Sequence, residues 1–171
     1  EVGSIIINGN TLVTASATVE GEATGSASAE AYVNIDADRD VIVTGAISVL
    51  ADAVSNATGA SDASASAELY VEAGRDITIT GNTLVAANAE VTAGTGSASA
   101  SATADLYAGS NINVTGDITV TADAVTGTSE ASSVEADAYL YVYAGSGLTI
   151  PGDLLVSARA MGAATESASA S

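Results

Sequence analysis

The side chains best suited to chemistry in this sequence are three carboxylates at alternate positions, Asp36, Asp38 and Asp40. Residues two apart in an extended segment point to the same side, so the three would lie together. Hard cations such as Ca²⁺ prefer several carboxylate oxygens, which makes the trio a candidate cation site. No equivalent trio recurs further along the chain, and Arg39 would offset part of the charge. We therefore prefer a solvated or structural role, with Ca²⁺ binding as the alternative.

Tyrosines form the second candidate site. Tyr70, Tyr107 and Tyr141 are predicted to occupy one outward position in successive repeats of the chain. Stacked aromatic pairs contribute about 0.5–1.5 kcal/mol each, so the preferred interpretation is that they stabilise a sheet. An outward strip of tyrosines could also serve as a platform for a sugar or as a lateral contact between rods, and both alternatives stay open.

Catalytic chemistry has little to build on. The chain contains no Cys and no His, and its sequence also lacks Lys. Disulfides, thiolate nucleophiles and His- or Lys-based proton transfer are therefore excluded. The glycine-rich strings are typical of turns rather than of phosphate-binding loops. We predict no cofactor other than possible Ca²⁺ and no enzymatic activity; a carboxylate pair of a polysaccharide-processing β-helix enzyme is the least favoured alternative.

Two segments match the N-glycosylation pattern, at Asn56-Ala57-Thr58 and at Asn113-Val114-Thr115. Such matches arise easily by chance in a chain rich in Ser and Thr. We therefore do not predict that they are used, although the sequence leaves glycosylation open.

Charge narrows the classes of partner. The chain carries 21 acidic residues against 3 basic ones, for a net charge of −18. Such a surface repels nucleic acid and anionic lipid, so neither is an expected partner. Hydrophobic residues make up 47% of the chain, which argues against disorder. No apolar run approaches the length of a membrane span, so no transmembrane segment is expected.

A regularly recurring glycine indicates the repeated structural elements that position these side chains. Gly9, Gly45, Gly81, Gly116 and Gly152 are spaced by 36, 36, 35 and 36 residues. A repeat this even predicts a stacked array of equivalent units. The glycine itself is expected to turn a corner, where its tolerance of positive φ would help.

Apolar residues recur two apart on both sides of each glycine, which predicts strands with one buried face. A second alternating run lies further upstream, as in Ala63–Ala73, where the odd-numbered residues are apolar and the even-numbered ones polar. The acidic side chains fall on the outward parity almost without exception. One repeat therefore holds a short strand, a corner, a medium strand, a variable loop and a long strand, for example at 77–80, 83–91 and 98–108.

The predicted fold is all-β, a parallel β-solenoid with coils of about 36 residues and about five coils. The repeats fall at approximately 1–35, 36–71, 72–107, 108–142 and 143–171, in a single array that we interpret as an excerpt of a longer protein. Two smaller coils per repeat are the alternative. The third repeat is one residue short, and we place the deletion in the strand around Leu106–Gly109, aligned with Leu69–Gly74.

The string AGRDITITG at 73–81 resembles the haemagglutinin-type repeat of filamentous haemagglutinin-like adhesins, the large exoproteins of two-partner secretion systems. The segment 108–116 matches well and 144–152 less well, while 37–45 has Asp38 where the motif has glycine. The resemblance implies a right-handed parallel β-helix that is secreted, displayed on the cell surface and active in adhesion.

These observations together predict a structural stalk or shaft segment of a secreted cell-surface adhesin, without catalysis. Its partners would be a host or neighbouring cell surface, or copies of itself, and its location extracellular. A self-assembling extracellular filament or matrix protein is the alternative, because open solenoid ends expose unpaired strand edges.

Overall fold

A computed structural model describes residues 3–22, 24–127, 133–162 and 168–170. Within these residues the chain is entirely β-structure and turns, with fifteen strands and no helix. The strands form three sheets of five strands each. No helix in the described part of the chain is long and apolar enough to cross a membrane.

Each sheet collects one kind of strand from every repeat. Sheet A contains the short strands β1 (Ile5–Ile7), β4 (Val41–Val43), β7 (Ile77–Ile79), β10 (Asn111–Val114) and β13 (Gly147–Thr149). Sheet B contains the medium strands β2 (Thr11–Gly21), β5 (Ile47–Ala57), β8 (Thr83–Val91), β11 (Ile118–Thr126) and β14 (Leu154–Gly162). Sheet C contains the long strands β3 (Ala27–Ala37), β6 (Ala63–Ala73), β9 (Ala98–Ala108), β12 (Val134–Ala144) and the short β15 (Ala168–Ala170).

The chain winds once around all three sheets in each repeat. All pairings are parallel and join a strand to its equivalent in the next repeat, as Ile5 to Val41 in sheet A and Ile47 to Thr83 in sheet B. The predicted β-solenoid with coils of about 36 residues is therefore confirmed. The alternative of two smaller coils per repeat is wrong, because no strand pairs at half the repeat spacing among the described residues.

Inward-facing side chains stack on like side chains from coil to coil. One such row in sheet B runs Val13, Val49, Val85, Val120 and Val156. Val85, with a coil on either side, is completely buried, whereas Val156 in the last described coil is 46% exposed. Burial in this fold therefore depends on both neighbouring coils, as expected of a repeat array.

Alanine dominates the interior where sheets B and C face each other. In β6, Ala63, Ala65 and Ala67 are at most 2% exposed, and the long strands contact the medium strands of their own and adjacent coils. Alanine adds little apolar area. Close packing and the parallel backbone ladders must therefore hold this region, while the Ile, Val and Leu rows supply most of the hydrophobic stabilisation.

Four of the repeat glycines, Gly45, Gly81, Gly116 and Gly152, are required by close approach rather than by backbone conformation. Of the five, only Gly9 has positive φ, so this conformational tolerance is used at one of the corners. A Cβ placed on Gly81 would lie 2.5 Å from the carbonyl carbon of Gly45, and one on Gly116 would lie 2.5 Å from that of Gly81. The corners of successive coils therefore rest backbone on backbone, with no room for a side chain.

The missing residue of the third repeat lies in a loop, not in the strand at Leu106. Ser55 pairs with Val91 and Ala60 with Thr95, so residues 56–59 of one coil are matched by only 92–94 of the next. The long strands β6 and β9 then pair at a constant offset along their whole length. A loop absorbs a deletion more easily because it has no side-chain parity to preserve.

The valine row yields a prediction. Val85→Asp should lower the free energy of unfolding by about 4 kcal/mol or more, because it places an unpaired charge in a fully buried aliphatic row. Ala86→Asp, one residue later on the outward parity, should cost less than about 1 kcal/mol. Urea unfolding followed by circular dichroism measures both; equal stabilities of the two variants would contradict the assigned interior.

The glycine corners yield a second prediction. Gly81→Ala should destabilise the array by about 1–3 kcal/mol, since the coils must separate at this corner to admit a methyl group. Gly127→Ala is the matched control, because a Cβ there would find its nearest atom at 3.6 Å. Thermal unfolding of both variants tests this, and a Gly81→Ala protein as stable as the control would refute the close approach.

Candidate functional site

All the tyrosines of the chain lie on one surface, the outer face of sheet C. The sequence contains 6 tyrosines. They occur at outward positions of β3, β6, β9 and β12, at Tyr32, Tyr70, Tyr107, Tyr139, Tyr141 and Tyr143. The inward neighbours in these strands are Ala, Val, Leu and Ile. Because inward and outward positions alternate along these strands, every aromatic ring of the protein lies on one side of the solenoid.

The predicted tyrosine strip is correct as a cluster but wrong in register. Tyr70 and Tyr141 both flank Asp105, whereas Tyr107 lies two residues further along β9 and pairs with Glu72 and Tyr143. The rings still meet diagonally. Tyr107 lies 5.7 Å from Tyr70 and 5.0 Å from Tyr141 between ring centroids, with interplanar angles of 39° and 31°. These distances are typical of stabilising aromatic pairs.

Carboxylates alternate with the tyrosines on this face. Its acidic side chains are Glu30, Asp36, Glu68, Glu72, Asp105, Glu135 and Asp137. The Tyr70 hydroxyl donates a hydrogen bond to the Glu72 carboxylate. That hydrogen bond, together with desolvation and the nearby charges of Glu72 and Asp36, raises the pKa of Tyr70 to about 12. The phenol therefore stays protonated well above neutral pH.

The neighbouring groups shift in the same direction. Desolvation raises the pKa of Tyr107, with further contributions from Asp105, Tyr141 and Glu72. Partial burial also raises the pKa of the Asp105 carboxyl, which lies between the tyrosine side chains of the adjacent coils. Desolvation is thus the main reason that a charged form is disfavoured at both groups, and at Tyr107 the neighbouring negative charges add to it.

A shallow groove opens at the end of sheet C. It is lined by Tyr107, Tyr143 and Glu72, and by the backbone-rich pairs Ala73-Gly74 and Ala108-Gly109. The floor of the groove has no projecting side chains because it contains members of a second row of glycines, which pack directly on the backbone of the preceding coil. The glycines of this row are Gly74, Gly109 and Gly145. The tyrosine rings thus stand beside a floor without large side chains. Sequence reasoning missed Tyr143 and Glu72 here, although the outward parity contained the signal.

The acidic trio does not come together as a metal site. Asp36 ends the outward row of β3, beside Glu72 of the next coil, while Asp38 lies in the turn that follows. Asp40 instead binds Arg75 of the next coil, with its oxygens 3.1 Å from Nε and 3.3 Å from Nη2. Among the residues that the structure describes, no group of three acidic side chains is placed to hold a metal ion.

Asp40 is instead a link between coils. Its Oδ2 also accepts a hydrogen bond from the Ser4 hydroxyl of the preceding coil, at 3.0 Å. Partial desolvation acts to raise the pKa of Asp40, but the hydrogen bonds from Ser4 and Arg75 and the charges of Arg75 and Arg39 outweigh it, so the pKa lies below its ordinary value. This geometry favours the structural interpretation of Asp40 over Ca²⁺ binding.

Further side-chain links run along the corners after the repeat glycines. The carboxamide oxygen of Asn82 accepts the backbone N–H of Asp117 at 3.1 Å, and Oδ1 of Asp117 accepts that of Asp153 at 2.9 Å. Asn10 bonds the N–H of Ala46 in the same way, at 2.9 Å. The frequent Asn or Asp beside each glycine, visible in the sequence, therefore satisfies backbone donors that the turn leaves unpaired.

The two glycosylation sequons lie on the surface. Asn56 is exposed at the end of β5, where its carboxamide oxygen accepts a hydrogen bond from the Thr92 hydroxyl at 2.5 Å. Asn113 is exposed in β10 of sheet A. Neither position is sterically closed, and use of the sequons stays an open prediction.

The stacked parallel sheets define the chain as a β-solenoid repeat protein. No protein-family model matches the chain, and neither a curated protein nor a solved structure is significantly similar to it. The finer assignment to filamentous haemagglutinin-like adhesins therefore depends on the short strings at 73–81, 108–116 and 144–152.

The Tyr70–Glu72 bond yields a prediction. Because the folded pKa of Tyr70 lies near 12 and its ordinary value is 10.0, its stabilising contribution is complete below pH 10 and is lost as the pH rises toward 12. Difference absorbance titration of wild type against Tyr70→Phe should show one phenol ionising near pH 12.

Repeating that titration in a Glu72→Ala background should move the ionisation down toward pH 10, since the main cause of the shift is removed. Glu30→Ala, which removes a carboxylate from the same face away from Tyr70, is the control. An unchanged Tyr70 titration in Glu72→Ala would show that the hydrogen bond does not set its pKa.

Proposed function

We propose that this chain is a rod-forming shaft segment of a secreted, surface-displayed adhesin, and that it acts as a spacer without catalysis. The observation that carries the proposal is the continuous parallel pairing of the three sheets through about four turns, with five strands in each sheet. A fold of this kind converts repeat number directly into length, at about 4.8 Å per coil. Such a fold is well suited to hold another part of a protein at a fixed distance from a surface.

Stiffness is the second support for a spacer. Each coil is tied to the next on all three sides by backbone ladders, and also at the corners, for example by Thr83 N–H to the carbonyl of Asp117 at 2.8 Å. Bending the rod would require stretching one of these ladders. A shaft that holds a binding end away from a cell needs this resistance to bending.

Surface chemistry is compatible with this role. The net charge of −18 keeps the rod soluble and disfavours nucleic acid, so the expected partners are a host or neighbouring cell surface, or copies of the chain. The resemblance of 73–81 to the haemagglutinin-type repeat supports secretion and an extracellular location. Both remain part of the proposal.

A self-assembling extracellular filament is the second candidate. In the last described coil the inward-facing Leu148 and Leu154 are 54% and 55% exposed. A further coil, of the same chain or of another copy, would cover them and pair with β13 and β14. If that coil came from another copy, head-to-tail addition would build a fibre.

Repeat insertion tests the spacer. Ten added copies of residues 82–116, placed between Gly116 and Asp117, should keep a single parallel β-solenoid and lengthen the particle by about 48 Å in electron micrographs. Ten copies of 82–99, half a coil, should instead break the register and unfold or aggregate. Unchanged particle length with intact folding would refute the rod.

The location and the filament alternative need separate measurements. Antibody raised against this segment should label intact, unpermeabilised cells that produce the protein; labelling only after permeabilisation would refute surface display. Particle length that grows with protein concentration would favour the filament over the spacer, whereas length that depends on repeat number alone would favour the spacer.

A further inference from the structure

The groove at the end of sheet C combines two features that recognise cations. Two tyrosines, Tyr107 and Tyr143, and one acidic residue, Glu72, line it. The faces of aromatic rings attract cations, and a carboxylate supplies the opposite charge. The other lining residues are Ala and Gly, so no large side chain rises from the floor of the groove, and Tyr143 is 53% exposed.

The strands that carry the groove bear charge of one sign only. The outer face of sheet C carries acidic side chains in β3, β6, β9 and β12, and no basic residue occurs in these strands. The 3 basic residues of the chain lie outside these strands: Arg39 and Arg75 in the turns that follow β3 and β6, with Arg75 directly after Gly74 of the groove, and Arg159 in β14 of sheet B. Arg75 is held by Asp40. The strands of this face therefore supply no positive charge of their own, and a partner can supply it.

We propose that the tyrosine-lined groove binds arginine side chains of a cationic segment in a partner protein. This binding is a function additional to that of the rod and does not depend on where the protein is displayed. A guanidinium group is planar, so it stacks on a tyrosine ring while its N–H donors reach the Glu72 carboxylate. A lysine ammonium is more strongly hydrated and cannot stack in this way, so arginine is the preferred residue.

Charge also argues against the other occupants of this face. Two copies meeting through sheet C would bring the same carboxylates together, and like charges in contact are repulsive. This weighs against the predicted lateral contact between rods at neutral pH. A neutral sugar could stack on the tyrosines but would leave the surrounding negative charge without a counterpart.

Binding of labelled peptides tests the proposal. Fluorescence anisotropy of fluorescein-labelled hexa-arginine at low ionic strength should report binding that is at least about threefold tighter than that of hexa-lysine. A Gly-Ser peptide of equal length should not bind. Equal affinity for hexa-arginine and hexa-lysine would overturn the groove in favour of diffuse attraction by the net charge.

Matched variants separate the groove from the general charge. Glu72→Gln and Asp123→Asn each remove one negative charge, but Asp123 lies on the outer face of sheet B. Glu72→Gln should weaken hexa-arginine binding about threefold or more, and Asp123→Asn by less than about twofold. Equal effects of the two substitutions would refute the site.

Aromatic variants complete the test. Tyr107→Ala should weaken binding about threefold, while Tyr107→Phe, which keeps the ring, should bind like wild type. Circular dichroism of each variant establishes that the solenoid is intact. If Tyr107→Ala folds and binds like wild type, or if a neutral oligosaccharide displaces hexa-arginine, the groove does not recognise arginine.

Discussion

Every part of this structure depends on one constraint: each coil must lie about 4.8 Å from the next around its whole perimeter, corners included. Along the strands, the parallel hydrogen-bond ladders maintain this spacing. At the corners backbone hydrogen bonds between coils continue on either side of the repeat glycines, and the glycine backbones themselves come into direct contact. A side chain at Gly81 would separate the coils there, and the loss of spacing would pass to the sheets on both sides. The short distance between coils therefore explains why glycine recurs at this position of the repeat.

The same spacing decides what the two faces of each strand can carry. Inward side chains lie between identical neighbours, so they are the small and branched apolar residues that stack on their own kind, such as the Val85 row. Outward side chains are not confined by the packed interior, so these positions can be occupied by charged and aromatic residues. The tyrosines and carboxylates of sheet C thus form a continuous surface, since one position in each coil becomes a row along the rod.

Much of the fold was predictable from the residues, because alternation and periodicity are properties of the chain itself. The strands at 77–80, 83–91 and 98–108 match β7, β8 and β9 almost residue for residue. One error produced another at the candidate site. Placing the one-residue deletion in the strand aligned Leu69 with Leu106 and therefore Tyr70 with Tyr107; in the structure Leu106 pairs with Val71 and Tyr107 with Glu72. An Ala/Ser alternation is too uniform to define register by itself, whereas the backbone pairing does.

The amino-acid sequence by itself determined that the chain is an array of short strands with one apolar face, wound at about 36 residues per coil and strongly acidic outside. These properties follow from the spacing of the repeats and from the alternation of apolar and polar residues within each strand. Each repeat shows this alternation independently. Only the tertiary structure decided which outward side chains become neighbours: Tyr107 with Tyr70 and Tyr141, and Asp40 with Arg75. Such contacts join residues about one coil apart. Which residues make these contacts depends on which loop contains the one-residue deletion and on how closely the backbones of adjacent coils approach. The local sequence pattern determines neither.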